Sequence, residues 1–313
     1  MSDRTNHLVA KLPDPGELRI GIVILTFNQR EQTLLCLEHL ENQESKGALS
    51  ILVWDNGSQD DTGDAITAKF PTVIYRYSET NLGVAGGRNA AAAAAIDSFN
   101  SHLLLFLDND MVVCEGFVAG LEQPFLEDKP GVLGQTQAKL RLSDDPERLN
   151  DGGGCHLQFW LGRTRPVGYG EIDAGQRDVP TPCVSCGGAM MVRTDLFQYL
   201  EGFDEAFNPF GPEDLDFSLR LKKAGFEAWY QPAAMAFHDV NHTFGAGAYT
   251  EDYARHRARH WLRLMRRHAG ILDWLGFVFI GAPAIGLRVI VREGSKRNFA
   301  AFRGLVSGVI SRR

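Results

Sequence analysis

Apolar runs alternate with amphipathic segments along the first 110 residues, and polar clusters follow the runs. The first run, residues 19–26, is continuous and β-branched, as expected for a parallel strand covered on both faces. Similar runs follow at residues 50–54, 73–77 and 103–107, with helical patterns between them. This alternation predicts an α/β protein with a Rossmann-like, doubly wound sheet. Ligands bind at the carboxyl ends of the strands in such sheets, which is where the polar clusters lie.

The second half of the chain has a less regular pattern. It predicts a strand at residues 189–192 and two short strands at 227–230 and 235–237. Residues 141–182 are rich in glycine, proline and charge, and we expect them to form loops over a site. Beyond residue 249 the chain is predicted to be helical and basic.

The composition is that of a soluble globular protein, with 313 residues of which 44% are hydrophobic and 23% charged. A net charge of −7 argues against a general nucleic-acid binder, so no nucleic-acid partner is expected. The charge is unevenly distributed, because residues 255–313 carry 13 Lys and Arg but only two acidic residues. The sequence therefore has an acidic body and a basic tail.

The cysteines and the N-terminus favour a cytoplasmic protein. Five scattered cysteines suit reduced thiols better than a disulfide framework. Cys183 and Cys186 have the spacing of half a zinc site, but without a second pair a buried turn before Gly187 is favoured. Residues 1–17 lack the apolar segment of a secretion signal and are predicted to be a flexible leader.

The first candidate for chemistry is the sequence Asp108-Asn109-Asp110 at the end of an apolar strand. Carboxylates crowded at a strand end favour a hard divalent cation such as Mg²⁺ or Mn²⁺, which also binds substrate phosphates. The alternative is a solvated turn, where acidic residues are common.

A glycine-rich segment with Gly83, Gly86 and Gly87 precedes a run of alanines. Glycines at a helix N-terminus let the backbone approach an anion, and the planar guanidinium of Arg88 suits a diphosphate. The spacing matches neither the dinucleotide pattern nor the triphosphate P-loop, so a structural turn is the alternative.

Two later features complete the candidate site. Glu213 and Asp214 open an amphipathic helix, where acids often serve only the helix dipole but where a carboxylate could act as a general base. His238 follows a short strand, with His242 nearby; such a residue is often structural, but it can complete a cation site. Together with the sheet, these features are the parts of metal-assisted transfer from a nucleoside diphosphate.

Ordered sequence blocks extend this pattern through most of the chain, at residues 22–28, 53–62, 81–83, 86–89, 106–110, 187–190, 202–205, 211–220, 223–226 and 232–238. In this order they resemble family 2 glycosyltransferases of the GT-A fold, over residues 18–245. The subgroup with this Glu-Asp and His pattern is similar to rhamnosyl- and galactofuranosyltransferases. The resemblance implies a mixed sheet and an inverting transfer from a nucleotide-diphosphate sugar to a saccharide or lipid-linked saccharide.

The resemblance also implies roles for individual residues. The positions that match the donor site are Thr26, Asn28, Asp55, Asn56, Arg88, Asp108 and Asn109. Asp110 matches the direct ligand of Mg²⁺ or Mn²⁺, joined by Asp108 and His238. Asp214 matches the general base, and Glu213 is expected to orient the acceptor. Pro212 departs from many relatives, which have an aromatic or another residue there, so the acceptor pocket is expected to differ.

The tail lies outside the resemblance, which divides the chain into a leader (1–17), a GT-A catalytic domain (18–245) and a basic helical region (246–313). The uncharged centre of its apolar stretch, residues 274–287, is 14 residues long, short of the ~20 that span a bilayer, so it is predicted not to cross a membrane. It could instead rest on the inner surface of the cell membrane and bring the enzyme to a lipid-linked acceptor. The alternative is a helical lid or a homodimer contact whose basic face pairs with the acidic body.

Two other functions are alternatives to glycosyl transfer. A nucleotidyltransferase would need a basic, glycine-rich triphosphate loop directly after the first strand, where this chain has Thr26-Phe-Asn28. A catalytically silent sugar-binding or polymer-binding scaffold would not need Asp110, Asp214 and His238 together.

Overall fold

The structure is a computed structural model that describes residues 10–128, 131–184, 187–239, 250–294 and 299–310. Residues 1–9 of the predicted leader, Cys186 and His242 lie outside the described residues. The contacts within the chain divide it into two compact units. The sheet unit comprises residues 1–155, 166–209 and 213–240, and the C-terminal unit comprises residues 156–165, 210–212 and 241–313.

The first half of the sheet unit forms the predicted parallel sheet. Its strands are β1 (Arg19–Thr26), β2 (Ala48–Asp55), β3 (Ile74–Tyr77) and β4 (Leu103–Asp108), adjacent in the order β4-β1-β2-β3. Thr26 pairs with Asp55, and Leu25 pairs with Asp108. The polar residues after three strands therefore meet at one edge of the sheet.

Helices cover both faces of this sheet, so β1 is buried on both sides. The connecting helices are α1 (Arg30–Leu40), α2 (Thr62–Lys69) and α3 (Gly83–Phe99). Ile20, Ile22 and Ile24 belong to one hydrophobic cluster, whereas Val23 belongs to another together with the alanines of α3. Alternate residues of β1 thus face opposite layers, which explains its continuous apolar sequence.

The second half of the sheet unit adds antiparallel pairing. Its elements are β5 (Met111–Val113), α4 (Phe117–Glu127), β6 (Leu133–Leu142), β7 (Leu149–Asp151), β10 (Thr181–Pro182), β11 (Ala189–Arg193), α5 (Thr194–Tyr199), α6 (Glu213–Lys223) and β12 (Glu227–His238). β11 runs antiparallel to both β4 and β6, and β12 runs parallel to β6. The sheet is therefore mixed, as the resemblance implied.

The sequence pattern missed β6, because much of its buried surface is polar. Gln137 donates a hydrogen bond to Asp151 at 2.6 Å, and Lys139 forms an ion pair with Asp173 at 2.8 Å. Their partners, Asp151 and Asp173, lie in the segment predicted as loops and satisfy the polar groups that β6 buries. The prediction of two short strands was also wrong, since β12 is one strand whose register shifts between Gln231 and Met235.

In its described residues, the C-terminal unit is mainly helical and also contains most of a β-hairpin, whose two end residues belong to the sheet unit. The hairpin strands are β8 (Cys155–Gln158) and β9 (Arg163–Pro166), joined through a 3₁₀ turn (Phe159–Leu161). The helices are α7 (Glu251–His268), α8 (Ile271–Gly276), a π-helical segment (Phe277–Gly281), α9 (Ala282–Gly294) and α10 (Ala300–Ile310).

The apolar part of this unit is longer than the sequence analysis predicted. Ile271–Glu293 forms a single helical run of 23 residues, long and apolar enough to cross a membrane by length and composition alone. The 14-residue estimate ended at Arg288, but the helix continues through it. Length alone therefore does not exclude a membrane span. That this stretch does not cross a membrane stays a prediction.

Candidate functional site

Asp108, Asp110 and His238 come together at the edge where the parallel strands end. Asp108 is the last residue of β4, and Asp110 lies directly before β5. His238 ends β12 and pairs with Met111 of β5, which brings its ring beside Asp110. One ligand atom from each of the three residues lies within 4.8 Å of the others.

The imidazole of His238 is oriented by Asn150, a residue that the sequence analysis did not identify. Nδ1 lies 3.1 Å from the Asn150 side-chain oxygen, and Nε2 lies 3.5 Å from Asp110 Oδ1. An amide oxygen only accepts, so Nδ1 carries the proton and a neutral ring presents the Nε2 lone pair toward the carboxylates. Asn150 lies in the segment read as loops, and no sequence signal marked it.

The three side chains fit a hard divalent cation. Burial lowers the pKa of His238, but the negative charges of Asp110 and Asp108 outweigh it and raise the pKa overall. The same field that attracts a proton attracts a cation. Two carboxylates and one imidazole are a donor set that Mg²⁺ or Mn²⁺ accepts, with room for substrate oxygens.

Arg88 connects this cluster to the start of α6. Its Nη2 donates to Asp108 Oδ1 at 2.5 Å, and its Nη1 donates to Glu213 Oε1 at 2.9 Å. The guanidinium is buried and lies over the ring of Phe203, 5.9 Å from the centroid. The fork expected to contact a diphosphate is thus held between two carboxylates, a geometry that the sequence could not reveal.

Asp214 lies at the other end of this network. Its Oδ2 accepts a hydrogen bond from the Gly187 amide at 2.5 Å, and its Oδ1 accepts from its neighbour Leu215 at 2.6 Å. Burial raises the pKa of Asp214, although the charge of Arg88 and the amide hydrogen bonds oppose the shift. A carboxylate still has free lone pairs after accepting two amides, so Asp214 can take a proton from a hydroxyl group.

The cluster carries more negative charge than its own cation balances. Arg88 is the cation facing Asp108, Glu213 and Asp214. Burial raises the pKa of Glu213 to about 8, and the charge of Arg88 only partly offsets this. An added divalent cation would relieve the excess, which agrees with the donor set around Asp110.

Gly188 makes room for the carboxylate of Asp108. A Cβ atom at Gly188 would lie 1.9 Å from Asp108 Oδ2, far inside van der Waals contact. Its carbonyl oxygen also accepts the backbone N–H of Asp108 at 2.7 Å. Gly187 and Gly188, which follow the buried turn predicted from the sequence, thus contact Asp214 and Asp108 respectively.

Gly188→Ala is expected to displace the Asp108 carboxylate and weaken Mn²⁺ binding by about tenfold or more, the usual effect of disturbing a metal site's supporting contacts. Titration calorimetry with Mn²⁺ measures the change. Gly16→Ala is the matched control, because nothing lies within 4 Å of a Cβ there. Equal Mn²⁺ affinity in both variants would contradict this role for Gly188.

Residues predicted for the donor site lie together at the carboxyl ends of β1 and β2. Thr26 and Thr33 share a hydrogen bond of 2.8 Å, and Asn109 donates to Thr33 at 3.0 Å. Asp55 accepts from the Tyr75 hydroxyl at 2.7 Å and from the Ser58 amide at the same distance. These bonds give the edge next to the cation cluster a fixed polar lining.

Asn28 and Asn56 shape the neighbouring loops. Asn28 adopts a left-handed φ of 53° and accepts the Gln59 amide at 2.7 Å. Asn56 donates to Asn81 at 2.9 Å and accepts the Leu82 amide at 3.0 Å. All the predicted donor residues are therefore in the sheet unit, at the carboxyl end of the parallel strands or in the helix that follows them.

The glycine-rich segment differs from the expected loop. α3 begins at Gly83, so the glycines lie in its first turns. A Cβ at Gly83 would lie 2.5 Å from Asn208, and one at Gly87 would lie 2.6 Å from Leu25. The glycines let the helix pack closely against its neighbours, which favours the structural alternative for them.

Comparisons with known proteins agree with this geometry. The profile described as glycosyl transferase family 2 matches residues 21–200, and the one described as the N-terminal domain of galactosyltransferase matches residues 176–244. An N-acetylglucosaminyltransferase of Azorhizobium caulinodans is 29% identical over 227 residues, which are 70% of this chain and 54% of the relative. The chain thus matches about half the length of that protein.

A second relative matches over more of its length. The N-acetylglucosaminyl-diphospho-decaprenol L-rhamnosyltransferase of Mycobacterium tuberculosis is 25% identical over 286 residues, covering 83% of this chain and 89% of the relative. This relative is named a rhamnosyltransferase, which is one of the two activities of the subgroup that the sequence motifs resemble.

Two solved structures share the fold. GalNAc-T7 with UDP, GalNAc and Mn²⁺ aligns with a TM-score of 0.63 at 14% identity, over 81% of this chain and 48% of that one. The mannosyltransferase PcManGT from Pyrobaculum calidifontis, with GDP-Man and Mn²⁺, aligns with a TM-score of 0.57 at 14% identity, over 98% of this chain and 92% of that one. These likenesses confirm the predicted GT-A fold.

Proposed function

Since the chain belongs to glycosyl transferase family 2, we propose that it moves a sugar from a nucleotide-diphosphate sugar to an acceptor hydroxyl in one inverting, metal-assisted displacement. The observation that carries this proposal is the bridge made by Arg88. It links Asp108 of the cation cluster to Glu213, the residue next to Asp214. A cation site and a candidate base thus occupy one connected cluster.

Asp108, Asp110 and His238 would hold Mg²⁺ or Mn²⁺ at the donor end. When bound, this cation acts as a Lewis acid that neutralises charge on the departing diphosphate. Thr26, Asn28, Asp55 and Asn56 would hold the nucleoside part of the donor, and Asn109 would contribute to the same donor site.

Arg88 can help in two ways at this end. Its charge stabilises the carboxylates while the site is empty, and the same charge lies close to where the diphosphate becomes more negative. Because Arg88 is already held by Asp108 and Glu213, little side-chain ordering accompanies the reaction.

Asp214 would accept the proton of the acceptor hydroxyl as its oxygen bonds to the anomeric carbon. The bond from that carbon to the diphosphate oxygen breaks, and the nucleoside diphosphate leaves with the electron pair. A pKa raised by burial makes Asp214 a stronger base than an exposed carboxylate. Glu213, buried against Arg88, is proposed to orient the acceptor.

The acceptor is proposed to be a saccharide or a lipid-linked saccharide of a cell-surface glycan. The Mycobacterium tuberculosis relative is named for an acceptor linked to decaprenol through diphosphate, which supports this class. An enzyme of such a substrate would work on the cytoplasmic side, next to the membrane.

A donor screen by thermal shift tests the proposal. In the presence of Mn²⁺, one nucleotide sugar should raise the melting temperature of the full chain, because a ligand that binds only the folded state stabilises it by mass action. Chelation of Mn²⁺ should remove most of the shift.

Asp110→Asn serves as the matched variant, since it should lose the same donor shift while Asp214→Asn keeps it. Binding without turnover by any acceptor would favour a silent scaffold. Binding of nucleoside triphosphates with release of pyrophosphate would favour a nucleotidyltransferase. Neither outcome is expected.

A further inference from the structure

The helical run Ile271–Glu293 exposes an unusually wide apolar surface, which we name the apolar face. Its most exposed members are Ile271, Leu272, Phe279 and Val291, with 81, 82, 74 and 66% of their surface accessible. Leu275, Val278, Ile280, Leu287 and Ile290 belong to the same face. A helix on a globular surface shows its polar side to water, so this exposure calls for an apolar covering.

The opposite side of the helix is already occupied within the same unit. A Cβ at Gly276 would lie 2.7 Å from the Cβ of Trp160, and one at Gly281 would lie 2.6 Å from the Trp160 carbonyl oxygen. Farther along, Phe277 and Ile285 both contact the position of Gly162. The middle of the helix is therefore packed along one side against the hairpin tip at residues 159–162.

This packing separates two modes of membrane contact. A helix that crosses a bilayer would carry the hairpin tip, with its exposed Arg163 and Arg165, into the hydrocarbon layer along with it. Charged side chains at that depth are strongly unfavourable. A helix that lies in the plane of the surface keeps the hairpin on the water side and places the apolar face among the acyl chains.

The basic residues near the helix favour an anionic lipid surface. Exposed Arg266 and Arg267 directly precede the apolar helix, and Arg288 lies near its end. Residues 255–313 carry 13 basic and two acidic residues. Anionic headgroups attract such a segment, whereas a second copy of the chain would bring a second basic segment against the first.

We propose that the apolar face of Ile271–Glu293 inserts, parallel to the plane, into the surface of an anionic lipid bilayer. The proposal deepens the proposed lipid-linked acceptor chemistry by naming the element that brings the enzyme to its substrate. It is tested without turnover, so it can fail while the proposed transfer holds, and the transfer can fail while it holds.

The test is co-sedimentation of the full chain with phosphatidylcholine vesicles that contain or lack phosphatidylglycerol. Binding should require the anionic lipid and should weaken at high salt. Phe279→Glu combined with Leu287→Glu should reduce the partition coefficient by about tenfold or more, because each substitution replaces an apolar side chain that would enter the bilayer with a charged one.

The control is Ile172→Glu combined with Val179→Glu, which adds the same charge at exposed apolar positions of the sheet unit. It should bind as the wild type does, and both double variants should unfold at the wild-type temperature.

Four results would overturn the proposal. Binding that ignores lipid charge would contradict the requirement for an anionic surface. Binding that the Phe279 and Leu287 substitutions leave unchanged would remove the apolar face as the contact. Protein that stays with the vesicles in alkaline carbonate would indicate a spanning helix. A dimer in solution that these substitutions dissociate, with no vesicle binding, would make a second copy the occupant.

Discussion

Asp214→Asn should lower the rate of sugar transfer by about 10²–10⁴-fold, the usual contribution of a general base. The substituted amide has a nearly identical shape but cannot take a proton from the acceptor hydroxyl. Its oxygen can still accept one of the amide hydrogen bonds that Asp214 receives from Gly187 and Leu215. Turnover is measured by the release of nucleoside diphosphate and by sugar incorporated into the acceptor.

Donor affinity is the control for this prediction. In the presence of Mn²⁺, Asp214→Asn should bind the nucleotide sugar almost as tightly as the wild type, because the cation cluster does not include Asp214. Transfer at the wild-type rate would refute Asp214 as the base. Loss of donor binding along with turnover would show instead that Asp214 supports the donor site.

Arg88→Met should lower the free energy of unfolding by about 3–5 kcal/mol in buffer containing a chelator, as expected when a buried ion pair loses one partner. The side chain of Glu213 is 5% exposed and would lose its adjacent cation. Burial already raises the pKa of Glu213, so without Arg88 the folded state would hold either an unpaired buried charge or a carboxyl group that must take up a proton, and both are destabilising. Chemical denaturation, followed by circular dichroism, measures the difference.

A second substitution shows whether the buried charge is the cause. Adding Glu213→Gln to Arg88→Met removes the isolated carboxylate, so the double variant should be more stable than Arg88→Met alone. Asp108 remains, but its side chain is 29% exposed and water can solvate it. Equal stability of the single and double variants would mean that Arg88 acts by packing on Phe203 rather than by charge.

The parallel half of the fold could be predicted because apolar strands and helices alternate regularly in its sequence. β1 is buried on both sides, so its residues 20–25 are all apolar or glycine. Asp108 marks the point where β4 reaches the polar edge of the sheet. Alternation of such strands with helices leaves few topologies. The sequence motifs added the family, and the comparisons agree with it.

The second half could not be predicted in the same way, because its polar side chains are paired over long distances. Lys139 reads as an exposed residue until Asp173, 34 positions later, is placed beside it. Asn150 has no local pattern that marks it, yet it fixes the ring of His238. Such partners become visible only when the sheet brings distant segments together.

The site shows the same division. Carboxylates at strand ends were identifiable from the sequence, but the bridge from Asp108 through Arg88 to Glu213 was not. Gly188 entered the sequence analysis only within the block at residues 187–190, although its missing side chain leaves the space that Asp108 occupies. A single sequence does not mark a glycine whose role is to leave space for a neighbouring side chain.

Proton NMR of the product during turnover tests the arrangement of the site most directly, once the donor screen has supplied the nucleotide sugar. A cation that holds the leaving diphosphate on one side and Asp214 that activates the acceptor on the other require attack from the face opposite the leaving group. This displacement should form a glycosidic bond whose anomeric configuration is the reverse of the donor's. A product that keeps the donor's configuration would contradict it.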